Sequence, residues 1–259
     1  FGYLNAKHKH ADDFTDRPIA YRAFLGGGFA DDGAQMSILL PTRFFSEIGG
    51  GAFRGSGFPA TDDGNNPGLI SAFARVGGDI GRSHAWRLGG SFIHARNTDG
   101  REDDDLIFTG SSDIFGIDFR YVFSPRGNNR NSEFAFTAEY LFRNERNGIY
   151  YNEDNSATAN GALTSGFHVQ AVYRFMQRYR IGYRFAWLNP ASTPAGFEDS
   201  ALDADGHRPH MHSIMAEFNT SEFGRFRAQF NHDRTSSRAD NQFILQYIIT
   251  FGAHGAHGF

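Results

Sequence analysis

The sequence predicts an all-β fold, an antiparallel transmembrane β-barrel of about 12 strands with one loop folded into its interior. Three observations carry this. Apolar and polar residues alternate with period two, most of the later strands reach 10 to 12 residues, and short connections alternate with long ones along the chain. The clearest alternation runs from Glu133 to Arg143. One face there reads Phe134, Phe136, Ala138, Tyr140 and Phe142, and the other reads Glu133, Ala135, Thr137, Glu139, Leu141 and Arg143.

Taken in order, strands are expected at about residues 1–7, 34–40, 44–53, 69–80, 85–96 and 112–123, then 132–143, 165–175, 179–188, 210–219, 223–232 and 241–251. Phe115, Ile117, Phe119, Tyr121 and Phe123 oppose Asp118 and Arg120. Tyr179, Ile181, Tyr183, Phe185 and Trp187 oppose Arg178, Arg180 and Arg184, and Phe243, Leu245, Tyr247, Ile249 and Phe251 oppose Gln242, Gln246 and Thr250. The short connections are 41–43, 81–84, 124–131, 176–178 and 220–222; the long polar ones are 54–68, 97–111, 144–164, 189–209 and 233–240. A soluble sandwich has no reason to sort loop length by end, whereas an outer-membrane barrel has short periplasmic turns and longer external loops. Aromatic residues form two expected girdles. Trp86, Phe123, Phe134, Phe175, Tyr179, Phe226 and Phe251 lie near the short turns, and Phe92, Phe115, Phe142, Trp187 and Phe243 near the long loops.

Composition narrows the function. With 28 Phe, 10 Tyr and 31 Gly the chain is too aromatic for disorder. It contains no cysteine, which excludes disulfides, thiolate metal sites and cysteine nucleophiles. A net charge of −4 gives no footprint for nucleic acid. Lys7 and Lys9 are the only lysines, so the positive charge is almost all arginine, suited to fixed and partly enclosed pairing. The start at Phe1, without Met or an apolar leader, reads as a processed or N-terminally truncated chain.

The two ends are similar to a known family. Phe1-Gly2-Tyr3-Leu4-Asn5-Ala6-Lys7-His8-Lys9-His10, the run Asp13-Phe14-Thr15-Asp16-Arg17-Pro18, and Leu245 to Ile249 followed by Gly252 to His257 resemble porin-like bacterial outer-membrane proteins. These are of the kind described as zinc-regulated TonB-dependent receptors, and the likeness is to their C-terminal barrel portion, with no plug domain. It implies a bacterial outer-membrane address, the lipid bilayer and lipopolysaccharide as surroundings, and small solutes or metal ions, zinc among them, as cargo.

Three groups of residues are candidate sites. The segment 8–33 is too long and too apolar for a solvated loop and is expected to fold into the lumen; its His8, His10, Asp12 and Asp13 offer ligands for a divalent cation, or else form a polar turn. Asp203, Asp205, His207, His210 and His212 suit zinc or nickel, or form an acidic external loop. Arg174, Arg180, Arg184, Arg225 and Arg227 face the polar side of successive strands and would line one wall of a pore. Glu133, Glu139, Asp118, Asp79 and Glu217 would stand opposite and set a transverse field, unless the two sets pair across strands. His254 and His257 form a weaker pair in the tail. No Ser and His pair shares a strand face: Ser91 with His94 and His212 with Ser213 have the wrong spacing, so no enzyme and no required cofactor are expected. The expected function is a channel or transporter for small solutes. The alternative is a non-conducting barrel that anchors, or partners with, other envelope proteins.

Overall fold

The structure is a computed structural model, and it describes residues 1–7, 9–62, 64, 66–103, 106–153, 156–158, 162–200, 202–221 and 223–250. Its strands are β1 (Gly33–Leu39), β2 (Phe45–Phe53), β3 (Leu69–Ile80), β4 (His84–Asp103), β5 (Leu106–Phe123) and β6 (Glu133–Tyr151), followed by β7 (Ser156–Thr158), β8 (Ala162–Phe175), β9 (Tyr179–Asn189), β10 (His210–Asn219), β11 (Gly224–Arg234) and β12 (Asp240–Ile249). Every pairing is antiparallel, and all strands but one form a single meander in chain order; the short β7 pairs only with β6, off that path. Among the described residues β1 and β12 are not hydrogen-bonded to one another, so the sheet is open there. Both run from the end that carries the long connections towards the end that carries the short turns.

Alternation sets the two faces as the sequence implies. Phe92, Phe115 and Phe142 stand side by side on the outer face of β4, β5 and β6, with ring centroids 4.8 and 4.7 Å apart. Near the short turns, Phe175, Tyr179, Phe218, Phe226 and Tyr247 form one cross-strand row on the same face, with centroids 5.7 Å apart for the first pair and 4.3 Å for the last. Phe251 lies outside the described residues. Between the two rows the outer face exposes Ile117, Tyr140, Ile181, Ile214 and Leu245. The inner face carries the buried polar set, including Asp118, Thr137, Glu139, His168, Gln170, Arg184 and Arg227. This distribution inverts that of a soluble sheet, in which charge faces water and aromatic residues face the core.

The segment 1–32 lies against that inner face. It touches β2 through the edge-on contact of Phe29 with Phe53 at 5.1 Å, and β11 through Thr15, whose amide donates to Gln229 Oε1 at 2.8 Å. Touching strands so far apart in the meander requires the sheet to curl around the segment. Residues 1–7 were expected as a strand but form a short 3-10 turn at Leu4–Ala6. The reason is local: Phe1, Gly2, Tyr3 and Leu4 are all buried, so neither face of a strand at these residues would reach solvent or lipid. Residues 19–25 form a short helix, α1 (Ile19–Leu25), which Pro18 precedes; Gly26 ends it with φ of 58°, a left-handed geometry that glycine adopts without cost.

Two expected long loops are largely strand. β4, β5 and β6 run past the other strands, which orders most of 97–111 and 144–151. Their extension is held by an inward network in which Arg101 donates to Glu145 Oε1 at 2.5 Å and to Ser112 Oγ at 3.0 Å, and the Tyr150 hydroxyl donates to Glu145. Leu106, Phe108, Tyr150 and Phe197 pack beside it, so the connection 190–209 folds over this rim.

Candidate functional site

The interior of the curled sheet is the best-defined site. Along its middle, Phe1, Tyr3, Leu4, Ala20, Tyr21, Phe24 and Leu25 of the segment pack with Leu69, Ile93, Ile114 and Leu141 of the sheet. Close approach depends on two glycines. A Cβ at Gly166 would lie 2.8 Å from the Ala20 Cβ, and one at Gly116 would lie 3.1 Å from the Phe1 ring.

Glu139 of β6 is the central polar anchor. Its carboxylate accepts from the Tyr3 amide at 3.1 Å, the Leu4 amide at 3.0 Å and the Tyr21 hydroxyl at 2.5 Å, all buried. The phenol of Tyr21 is held well above its ordinary pKa, first by burial and then by the Glu139 charge, so it stays the donor. The guanidinium groups of Arg87 and Arg120 lie 4.8 and 4.7 Å from the centre of the Tyr3 ring.

Toward the short-turn end the segment turns its acids to the arginines of β9 to β11. Arg180 donates to Asp13 and, at 2.9 Å, to Glu217. Arg184 donates to the Asp16 carbonyl at 2.6 Å and to its carboxylate at 2.8 Å. Arg227 holds the Asp12 carbonyl at 2.7 Å and Glu217 at 2.8 Å, while Arg225 donates to the His10 carbonyl. Glu217 therefore stands inside the arginine row, opposite Arg180 on β9 and Arg227 on β11. Of the two arrangements the sequence left open, cross-strand pairing holds for Glu217, whereas Asp118 and Glu139, and Arg174 and Arg180, lie in register as like charges. Asp118 accepts from Arg87 at 2.9 Å. Glu133 lies opposite Arg174, whose own side chain donates to the Asn129 carbonyl at 3.2 Å near a short turn.

The first candidate metal group is drawn into the same network. Asp12 lies 2.7 Å from Arg17 Nε, and Asp13 is engaged by Arg180, Lys7 and Gln170. His10 is exposed, and His8 lies outside the described residues, as do His254 and His257. In the second group, the ring centroids of His207 and His210 are 6.2 Å apart and those of His210 and His212 are 5.9 Å apart. One nitrogen of each ring has a hydrogen-bond partner: His207 Nε2 the Arg234 carbonyl, His210 Nδ1 the Arg208 carbonyl and His212 Nδ1 the Tyr183 hydroxyl. Asp203 accepts from the amides of Asp199 and Asp205. Among the described residues no group of three His, Asp or Glu side chains converges as a metal ion would require.

Asp12 and Asp13 differ in the proton they prefer. Burial pushes the Asp12 carboxyl up to about 6 against the charges of Arg17 and Lys7, and its Oδ1 receives no hydrogen bond among the described residues. Burial also opposes the Asp13 carboxylate, but the charges of Arg180 and Lys7 outweigh it and hold this acid well below the usual range. The two signs are opposite. Asp12 binds its proton more tightly when the segment is docked, so its contribution is present at low pH and is lost as pH rises from its ordinary value of 3.8 through about 6. Asp13 stabilises docking above the ordinary carboxylate range and is lost only as pH falls far below it. Asp12→Asn is therefore expected to leave docking intact at neutral pH and to flatten its dependence between about pH 4 and 6. Asp13→Asn, which keeps a polar group but loses the charge-assisted bond from Arg180, should weaken docking by about 2 kcal/mol at neutral pH. Proteolysis of residues 1–32 in detergent-folded protein across this range checks both.

Sequence reasoning expected residues 8–33 inside the sheet and 1–7 in a strand, and it missed Tyr21, Asp16, Arg17, Gln170 and Gln229 as contact residues. A usable signal was present in the acidic spacing Asp12, Asp13 and Asp16, set against a surplus of inner-face arginine.

No family model matches the chain. An uncharacterized protein of Aquifex aeolicus (strain VF5) is 28% identical over 284 residues, a match that covers all of this chain and 58% of the relative. The chain therefore spans less than two thirds of the length of that protein.

Proposed function

We propose that this chain supplies wall and plug to a bacterial outer-membrane β-barrel that passes small solutes, with residues 1–32 closing the passage in the conformation described. One observation carries this reading: the outer face is apolar between two aromatic rows, while charged residues point inward onto the chain's own segment. The eight residue steps from Phe134 to Phe142 on β6 cover roughly 27 Å along the strand, or about 20 Å of height at the usual tilt, close to the ~25 Å apolar band of such barrels. The resemblance of the chain ends to porin-like outer-membrane proteins points the same way. No helix among the described residues is long and apolar enough to cross a membrane, which says nothing about crossing by strands.

The extent of the buried interior cluster favours a second reading, in which the barrel does not conduct and serves as an anchor or partner in the envelope. Heat-modifiable gel migration in detergent, followed by single-channel recording in planar bilayers, separates the two. Conductance steps that grow when the segment is loosened support passage. Silence from folded protein, wild type and loosened variant alike, supports the anchor, and a protein that stays monomeric in water without detergent overturns both.

A further inference from the structure

The arginine wall of β9 to β11 is more strongly cationic than its own strands can balance. Arg180, Arg184, Arg225 and Arg227 face inward around Glu217, four positive charges to one negative, while the other inward acid of these strands, Asp233, stands at the opposite end of β11 and accepts from the Thr235 amide. Arg184 and Arg227 are almost fully buried, at 1% and 2% exposure, so their charges are not screened by water and need an anion or carbonyl oxygens close by. The segment 1–32 supplies both. Asp13 meets Arg180, the Asp16 carboxylate meets Arg184 and Gln229, and the carbonyls of His10, Asp12 and Asp16 take further guanidinium donors.

These partners are of the kind a solute would bring. The Asp13 and Asp16 carboxylates each accept from one guanidinium group of β9, Arg180 and Arg184, and a guanidinium presents a planar set of donors that suits carboxylate or phosphate oxygen and that lysine would not provide. Gln170, which donates to Asp13 at 3.2 Å, and Ser213, on which Arg184 also donates at 3.2 Å, add neutral polar groups around the same spot. Phe14 of the segment covers the spot, 4.6 Å from the Arg184 guanidinium, and packs on Val172 and Met215 of the sheet. Withdrawal of the segment would therefore remove the two acids and the Phe14 cover together, leaving a recess with a net positive charge.

We propose that this wall is a binding site for a small solute bearing carboxylate or phosphate groups, and that Asp13 and Asp16 occupy it as built-in surrogates until the segment withdraws. This rests on the reading of the barrel as a passage, and it names the class of solute. Electrostatic attraction at such a wall raises the local concentration of anions and sets the selectivity of a pore.

The test uses the full chain and its Asp13→Asn, Asp16→Asn double variant, both checked for heat-modifiable folding. The first arm is calorimetric titration in detergent with inorganic phosphate and with succinate, at ionic strength matched by chloride. The double variant is expected to bind both about tenfold more tightly than wild type, because the surrogates no longer compete for charge-assisted hydrogen bonds. The second arm is the reversal potential in planar bilayers under a salt gradient, which should move toward anion selectivity in the double variant. A single Asp13→Asn variant, which keeps Asp16 on Arg184, should fall between the two proteins in both arms and serves if the double variant does not fold. Binding without conductance would keep the site and overturn the passage. Conductance with equal, chloride-like response to phosphate in all proteins would keep the passage and overturn the site.

Discussion

Replacing Glu217 by alanine should be the most damaging single change to the inner wall. Its two carboxylate oxygens serve Arg180 at 2.9 Å and Arg227 at 2.8 Å, and Arg225 approaches to 3.7 Å. Alanine would leave three guanidinium groups close together without their shared acid, Arg227 almost fully buried and the other two only partly exposed. Breaking a buried pair by removing one partner costs about 3–5 kcal/mol, mostly because the remaining charge is uncompensated. The expected result is a loss of that order in the urea-unfolding free energy of the detergent-folded protein. Glu217→Gln should recover part of it, since the amide oxygen still accepts one guanidinium N–H. Equal stability of the alanine variant and wild type would mean that the arginines find other partners, and the network argument would fall.

Glu139→Leu should release the interior segment while leaving the sheet folded. The carboxylate is the acceptor for two main-chain amides and one phenol, none of which has water within reach. Each buried donor left without an acceptor costs about 1–3 kcal/mol, and together they are expected to weaken docking by about 4 kcal/mol, on the order of a thousandfold in the docked population. Tyr21→Phe removes one of the three bonds and should cost about 1 kcal/mol. Hydrogen exchange reads this directly. The amides of Tyr3 and Leu4 should lose protection in Glu139→Leu, whereas those in the centres of β5 and β6 should not. Simultaneous loss of protection in both regions would show the segment to be part of the fold rather than a separable plug.

The strands were legible because their alternation has a physical cause that sequence preserves: each residue must suit one of two faces, and a shift of one position would turn every side chain over. The segment inside the sheet was legible only as a stretch too apolar for a loop. Its helix α1 is seven residues long and partnered on several sides, so no periodic face announces it. The partners of Glu139 and Arg184 come from residues more than a hundred positions away, a separation that spacing rules do not reach. The error over the first residues has the same origin, since Phe1, Tyr3 and Leu4 satisfy a strand pattern and an interior turn equally well. Charge placement was half right. The arginine positions faced inward as read, but Glu217 was placed across the pore, and cross-strand register put it between Arg180 and Arg227.

The common direction of β1 and β12 limits how the sheet's rim can be sealed. Joined to each other, the two would make a parallel seam, with slanted and slightly weaker hydrogen bonds, in a sheet that is otherwise antiparallel. An antiparallel seal on both edges needs an odd number of added strands, whichever polypeptide supplies them, and it brings the circuit to the even number typical of bacterial outer-membrane barrels. Until such strands arrive, β1 is an open template. Met36 is 79% exposed and Leu39 67%, on opposite faces of a strand whose outer row of amides and carbonyls has no partner in the sheet. An edge of this kind recruits whatever extended chain it meets, so the order in which strands are added during folding decides between ring closure and aggregation.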